Sequence, residues 1–296
     1  MARAAGNRDP WWGAEKDLHP AQLSDATGVA EPEIPGRPEV VADLGRVWVV
    51  DKPAFLPTTP NGRIVRNTVQ QRLRELHDNP DLVVLHRLDR LTSGLVLVSA
   101  DPSTRGSYQR LFQELRISKT YEALTVMPDD WEPGQRRQLR LWLDNRPGRP
   151  GVAVLGQAAH STLESAVDRN SVAALAPSPT AHLAITEVEF IGARPAHIGD
   201  ILAAQGGHAT GCGCSSCGSL MQVGYWRLHP LTGRTHQLRA TMDYLGYPIL
   251  GEDTYPLSQH LAAPTQPRLR LLASELAFTD PIDGNDYRFH SRQTLL

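Results

Sequence analysis

Two short apolar runs flank a charged segment in the first third of the chain. Leu82–Leu85 and Leu95–Val98 consist of Leu and Val, and the residues between them, His86–Gly94, are mostly polar and end on glycine. Apolar runs of this length that are rich in Val indicate buried strands rather than helices. The pattern predicts two core strands whose connection presents reactive side chains on a rigid scaffold.

The remaining pattern mixes strands and helices without a strict alternation of the two. Helices are predicted after Thr68, where Val69, Leu73 and Leu76 recur at helical spacing, and over residues 101–116 and 235–245. Further strands are predicted over residues 47–50, 120–126, 139–143, 185–191 and 223–228, and a last ordered element over 271–278. This mixture favours the α+β class over a doubly wound parallel sheet.

Composition divides the chain into an arm and one domain. Residues 1–45 have little periodic apolar pattern and contain five prolines, so they are expected to form an extended arm. Residues 46–296 are expected to form a single catalytic domain, interrupted at about 194–224 by an insertion rich in glycine and cysteine.

Charge and cysteine usage exclude several classes of protein. The formal net charge of -2 excludes a uniformly basic binder, although it leaves room for a local basic groove. No stretch approaches the roughly 18 apolar residues of a membrane span, and the N-terminus lacks the apolar core of a secretory signal. The three cysteines are clustered and odd in number, which does not fit a disulfide framework. We expect a reduced, cytoplasmic protein.

The insertion allows one metal hypothesis. His208, Cys212, Cys214 and Cys217 offer the four soft ligands that a structural zinc site requires. Only one C-x-x-C pair is present, however, so the sequence favours a glycine- and serine-rich loop with free thiols, and no metal.

The charged segment after the first apolar run places an aspartate between two arginines. Asp89 lies between Arg87 and Arg90, whose positive charge favours an ionised carboxylate. Such a carboxylate can act as a nucleophile or pair with a cation. The same cluster also fits a surface ion-pair loop. A metal site at His86 and Asp89 would need more ligands than this segment contains.

Two further segments carry side chains suited to nucleic acids. Residues 231–239 (LTGRTHQLR) contain a dense set of donors that could contact phosphates and base edges, or could form a solvated helix start. In residues 119–123 (KTYEA), Lys119 and Tyr121 alternate on a predicted strand and therefore share a face. The Tyr121 ring could stack on a base or pack in the core.

These three segments resemble, in order, the signature motifs of the RluA-type RNA pseudouridine synthases. The similarity continues in residues 49–60 (VVDKPAFLPTTP) and 246–255 (GYPILGEDTY), and so covers most of residues 46–280. It implies a mixed, mainly antiparallel central sheet with flanking helices and loops. Many relatives carry an N-terminal S4 RNA-binding domain, but residues 1–45 are proline-rich and have too little apolar pattern to form one, so no S4 domain is expected. It also implies that specific uridines of structured RNA, rRNA or tRNA, are isomerised to pseudouridine without cofactor, metal or obligatory protein partner.

The resemblance implies three catalytic residues. Asp89 would attack the anomeric carbon of the ribose or form a glycal there, with attack on the uracil ring as the older alternative. Tyr121 would pack against the base after it is flipped out of the RNA and assist proton transfer. Arg239 would pair with Asp89, and Arg234 is the alternative partner.

The resemblance also implies a set of substrate-binding residues. Arg87 would fill the gap that the flipped base leaves, and residues of the third motif would contact RNA or support their own loop. The full set is His86, Arg87, Arg90, Thr92, Lys119, Arg234, His236 and Gln237.

Some positions depart from the family pattern, and other functions remain open. Phe55, Thr59, Thr241 and Glu252 replace residues that are usual in the family, but none removes an expected catalytic group. One alternative is a catalytically silent RNA-binding protein that retains the fold. A carboxylate-dependent glycosidase would need a second acid or base carboxylate near Asp89, where the motifs supply arginine and tyrosine instead.

Overall fold

The computed structural model describes residue 31 and residues 33–60, 64–146, 151–158, 175–197, 219–255 and 268–296. The elements in chain order are β1 (Glu39–Asp43), β2 (Val47–Lys52), α1 (Val69–Leu76), β3 (Val83–Val84), β4 (Ser93–Ser99), α2 (Arg105–Gln113), β5 (Ser118–Thr125), β6 (Arg136–Asp144), β7 (Ala153–Gln157), β8 (Ala181–His197), β9 (Leu220–Pro230), α3 (Gln237–Tyr244), β10 (Leu271–Thr279) and β11 (Asp286–His290).

The strands form one mixed sheet in the order β1-β2-β4-β10-β5-β9-β8-β6-β7, with β3 paired to β4 and β11 to β10. Every pair of these described strands is antiparallel except β4 and β10, which run parallel over two residue pairs. The predicted α+β class with a mixed, mainly antiparallel sheet is confirmed.

Gly94 allows β4 and β10 to pair. Its φ of +106° lies in a region that favours glycine, and a Cβ built there would lie 2.3 Å from the Ala273 carbonyl oxygen. Because no side chain fits between the two backbones, the first signature motif has to end on glycine. The two halves of the sheet meet at this contact.

Alternating side chains of β2 and β4 contribute to two different cores. Val50, Val96 and Val98 belong to the main cluster, which includes Val69 and Leu73 of α1. The intervening residues belong to a second cluster with Tyr108 and Leu111 of α2; they are Val47, Val49, Leu95 and Leu97. This alternation fixes the register of β2 on β4, the strand into which the connection after β3 leads.

Most predicted elements are present, with shifted bounds. Thr68 caps α1 and accepts a hydrogen bond from the Gln71 N–H, as its position predicts. The helix predicted from residue 101 begins at Arg105, and β1, β7 and β11 were not predicted. β1 pairs with β2 as an antiparallel strand, so residues 39–43 of the expected arm belong to the sheet.

The described ends of the predicted insertion are regular structure. β8 and β9 pair as far as His197 and Leu220, so residues 194–197 and 220–224 belong to a long ribbon. The hypothetical zinc ligands, His208, Cys212, Cys214 and Cys217, lie outside the described residues. Within those residues no group of three or more His, Cys, Asp or Glu side chains could hold a metal ion.

Among the described helices, none combines the length and the apolar character needed to span a membrane.

Candidate active site

The connection between β3 and β4 carries Asp89 and is fixed by backbone hydrogen bonds. The Thr92 N–H donates to the Asp89 carbonyl at 3.1 Å, which closes a turn. Buried Thr58 bonds both polar groups of the Leu88 backbone: its hydroxyl donates to the carbonyl at 2.8 Å and accepts from the N–H at 3.1 Å. Asp89 therefore sits on a rigid turn.

The side chain of Lys52 forms hydrogen bonds with the backbone of this turn and of the segment after β2. Its side chain is fully buried, and its amine donates to the carbonyls of Pro53, Leu56 and Arg90 at 2.9, 2.8 and 3.1 Å. Burial lowers the pKa of Lys52 to about 7, although the nearby charge of Asp89 acts in the opposite direction. Lys52 was not among the predicted site residues, although it lies in the segment VVDKPAFLPTTP that extends the family similarity; its backbone partners became visible only in the fold.

Arg239 projects from α3 and is held by the segment after it. Its guanidinium makes a bidentate pair with buried Glu252, and Nη2 also contacts Asp253 Oδ1 at 2.6 Å. Burial alone would lower the pKa of Arg239, but the charge of Glu252 and its hydrogen bonds outweigh this and raise the pKa. Glu252 and Asp253 were missed as site residues; the charged pair within the GEDTY segment was the available signal.

The remaining nitrogen of Arg239 faces Asp89. Nη1 lies 3.9 Å from Asp89 Oδ2, and His236 Nε2 lies 4.0 Å from Oδ1. Both separations are longer than a hydrogen bond, and the Asp89 carboxylate is 24% exposed. Of the two arginines that the sequence offered as partners, Arg239 lies beside Asp89, whereas Arg234 Nε donates to the Leu183 carbonyl at 3.0 Å.

Tyr121 and Lys119 project from β5 into the same cleft, as their alternation predicts. Tyr121 is only 9% exposed. Burial raises the pKa of its phenol, and the charge of Asp89 raises it further. Burial also lowers the pKa of Lys119.

His236 occupies a strained position at the start of α3. Its φ of +50° is in the left-handed region, which few residues other than glycine adopt. Its ring lies between Arg239 Nη1 and the Tyr255 hydroxyl, each 3.4 Å from a ring nitrogen. Burial lowers the pKa of His236, with the charge of Asp89 acting in the opposite direction. Strain at a non-glycine residue is common in functional sites.

Gln237 supports the third motif rather than facing the cleft with a free amide. Its oxygen accepts from the Thr232 hydroxyl and the Arg234 N–H at 2.8 and 3.0 Å. Its nitrogen donates to the Ile185 carbonyl and the Thr186 hydroxyl, both at 2.9 Å. Of the two roles that the resemblance allowed, this geometry favours supporting the loop.

The other expected substrate-binding residues differ in exposure. His86 Nε2 accepts from the Leu97 N–H at 3.1 Å, and burial lowers its pKa to about 3, with the charge of Lys119 adding to the effect. Arg90 Nη2 lies 3.8 Å from Asp253 Oδ2. Thr92 is buried, whereas Arg87 is exposed.

These residues line a cleft of about 770 Å³. The expected site residues meet there, with the exception of Arg90, which is not part of the lining; those lining the cleft are His86, Arg87, Asp89, Thr92, Lys119, Tyr121, Arg234, His236, Gln237 and Arg239. Apolar side chains complete the walls, including Phe112, Leu115, Trp142 and Leu183. A carboxylate with a fixed cation and a phenol beside it can perform nucleophilic or proton-transfer chemistry on a ligand that is bound in the cleft and shielded from water.

Comparison with known proteins finds one family. A family model described as RNA pseudouridylate synthase matches residues 46–244. The dual-specificity RNA pseudouridine synthase RluA of Vibrio vulnificus is 29% identical over 246 residues, which are 82% of this chain and 78% of that protein. The enzymes of the same name from Haemophilus influenzae and Escherichia coli are 26% and 27% identical, over 86% and 82% of this chain and 92% and 87% of theirs.

Two solved human structures share the fold. Human RNA pseudouridylate synthase domain containing 1 superimposes with a TM-score of 0.58 at 22% identity, over 89% of this chain and 86% of that one. The domain containing 4 protein gives a TM-score of 0.53 at 18% identity, over 85% and 87%.

Proposed function

Because this chain belongs to the RNA pseudouridylate synthase family and is an RNA pseudouridine synthase of the RluA type, we propose that it isomerises specific uridines of rRNA or tRNA with Asp89 as the essential carboxylate. The observation that supports this most directly is the geometry of Asp89. Its carboxylate lines a cleft and is partly exposed there, and it lies 3.9 Å from Nη1 of a buried arginine, beyond hydrogen-bond distance.

The target uridine enters the cleft as an extruded base. A base inside a helix cannot be reached, and extrusion costs a few kcal/mol. Exposed Arg87 is positioned at the cleft to occupy the space that the base leaves. The buried side chains of Trp142 and Leu183, together with Tyr121, then replace the stacking that the uracil loses.

In the proposed reaction, an Asp89 oxygen bonds the ribose C1′ while the C1′–N1 bond breaks and uracil retains the electron pair. The freed uracil turns so that C5 bonds C1′, the bond between C1′ and the Asp89 oxygen breaks, and the Asp89 carboxylate is regenerated. The C5 proton is lost and N1 gains one, so atoms and electrons balance. In the alternative through a glycal, the same carboxylate removes the C2′ proton as the C1′–N1 bond breaks, and it returns that proton to C2′ when C5 bonds C1′.

Arg239 and Tyr121 assist this chemistry in different ways. Arg239 Nη1 holds the carboxylate in place, and its charge is fixed by Glu252. Because burial and Asp89 raise the pKa of Tyr121, its phenol stays protonated at neutral pH and can donate a hydrogen bond to the extruded uracil.

The test is pseudouridine formation in total RNA from cells that lack this gene, measured by nucleoside mass spectrometry and mapped by sequencing. We expect the purified protein to form pseudouridine at defined positions. Asp89→Asn should lower the rate by about a thousandfold or more, because the attacking group is lost. Asp43→Asn, at an exposed position outside the cleft, is the matched control and should retain the rate.

Unchanged activity in Asp89→Asn would contradict the mechanism. RNA binding by the wild-type protein with no pseudouridine formed would instead favour the silent RNA-binding alternative. The mapped positions would identify the RNA as ribosomal or transfer RNA.

A further inference from the structure

Leu115, just after α2, is unfavourable in two respects. Its φ of +57° lies in the left-handed region, and its side chain is 55% exposed although it is large and apolar. Glycine or asparagine would adopt this backbone conformation with less strain. A leucine that is more than half exposed gains little burial energy in return. Local stability therefore gives no reason for leucine at this position.

Leu115 and its neighbour Phe112 line the cleft that contains Asp89. The Phe112 ring is partly buried against the second core cluster, and its centroid lies 4.8 Å from that of His86. His86 is itself fixed by the Leu97 N–H, so Phe112 rests on a rigid support. We call the side chains of Phe112 and Leu115 the apolar platform.

Two cationic residues line the same cleft. Exposed Arg87 follows His86 in the chain, and Lys119 projects from β5 with Gly233 close to its amine. Apolar or aromatic surfaces next to cations are typical of sites for single-stranded nucleic acid, where bases stack and phosphates pair with the cations.

We propose that the apolar platform binds the unpaired base next to the target uridine, so that two consecutive nucleotides leave the stack on binding. The inference rests on the proposed function, since the platform belongs to the same cleft. The cleft volume, about 770 Å³, lies in the upper part of the roughly 300–1,000 Å³ range of pockets that enclose drug-sized ligands, and leaves room beyond a single nucleoside. In this proposal the Leu115 side chain contacts the face of the neighbouring base, which gives a reason for leucine at a strained, exposed position.

The test compares two synthetic RNAs by fluorescence anisotropy. One is a nine-nucleotide oligouridylate, and the other is the same oligomer in which alternate nucleotides lack the base. The wild-type protein should bind the complete oligomer at least about fivefold more tightly, since it gains contact with a second base. Leu115→Asn and Leu115→Gly suit the left-handed backbone, so both should fold and melt at or above the wild-type temperature.

In both Leu115 variants the preference for the complete oligomer should fall towards one. Leu76→Asn, which changes another exposed leucine outside the cleft, should keep the wild-type preference. An equal preference in wild type and the Leu115 variants would overturn the inference, and so would failure of the wild type to bind the complete oligomer. The proposed function is judged separately by the total-RNA assay with Asp89→Asn.

Discussion

Arg239 directs its N–H groups to two sides of the site. Nε and Nη2 bond the carboxylates of Glu252 and Asp253, and these contacts leave Nη1 directed at Asp89. A planar guanidinium cannot change one contact without moving the others. The orientation of the Asp89 partner is therefore set by residues 252 and 253, far along the chain from the turn.

Glu252→Gln should therefore lower both the stability of the protein and its activity. The change leaves a buried arginine without its main counter-charge, and breaking such a pair typically destabilises a protein by about 3–5 kcal/mol. Urea denaturation should show this loss in the free energy of unfolding, and the rate of pseudouridine formation should fall with it. Glu275→Gln, at a pair on the sheet surface, is the control and should change stability by less than about 1 kcal/mol. Equal effects at both positions would contradict the role given to Glu252.

His86 should make stability depend on pH. Its pKa is lowered to about 3 in the native state, chiefly by burial, whereas the unfolded chain takes up the proton near 6.5. The contribution of His86 to stability is therefore complete above pH 6.5 and is lost as pH falls towards 3. At pH 5 the loss should reach at most about 2 kcal/mol.

His86→Gln tests this dependence. Glutamine can still accept the Leu97 N–H but does not titrate, so the difference in unfolding free energy between the two proteins should shrink from pH 7 to pH 5. Urea denaturation at each pH measures it. A difference that is constant across this range would contradict the assignment.

At the scale of elements, the contact between β4 and β10 connects the two halves of the sheet. It includes only two parallel residue pairs, and Gly94 is required in one of them. The turn that carries Asp89 leads directly into β4, while Tyr121 lies on β5, which pairs with the other edge of β10. The distance between these two side chains thus depends on this contact.

Gly94→Ala should therefore damage both stability and activity. An added methyl group would lie 2.3 Å from the Ala273 carbonyl oxygen, so the strands must separate, and we expect a loss of about 3 kcal/mol or more in the free energy of unfolding. Gly45→Ala is the matched control, since Gly45 also has a positive φ but no atom within 4 Å of a built Cβ. It should lose only about 1 kcal/mol, from backbone strain alone. Similar losses of unfolding free energy in the two variants, measured by urea denaturation, would show that the close approach of Ala273 does not require glycine at position 94.

At the scale of the whole molecule, the last described residues are bound to the second strand. Asp51 is buried beside Lys52 and accepts hydrogen bonds from the Ser291 hydroxyl, the Arg292 N–H and the Gln293 amide, at 2.6–2.9 Å. Because Lys52 also bonds the Arg90 carbonyl, residues 291–293 are connected to the Asp89 turn through β2.

Asp51→Ala should release this connection. It leaves several donors without their acceptor, and we expect the free energy of unfolding to fall by about 3 kcal/mol. Asp43→Ala removes an exposed carboxylate that accepts the Gly45 N–H, and should cost less than about 1 kcal/mol. Thermal and urea denaturation of the two variants measure the difference. A smaller loss at Asp51 than at Asp43 would contradict the connection.

The amino-acid sequence by itself determined the local features of this protein. Apolar runs set the core strands, Thr68 starts α1, and the alternation of Lys119 and Tyr121 puts both into the cleft, because each depends on neighbours a few residues away. The motifs also contained Asp89 and Arg239, and their resemblance led to the family.

Tertiary structure decided the partners of those residues. Only the fold brings Lys52 under the Arg90 carbonyl, places Glu252 and Asp253 against Arg239, and turns the Gln237 amide towards β8. It also decides that Leu115, an ordinary residue in the sequence, is exposed in the cleft. Hydrogen-bond partners and close backbone approaches between distant segments depend on how strands pair in space, and the spacing of residues along one chain does not encode that pairing.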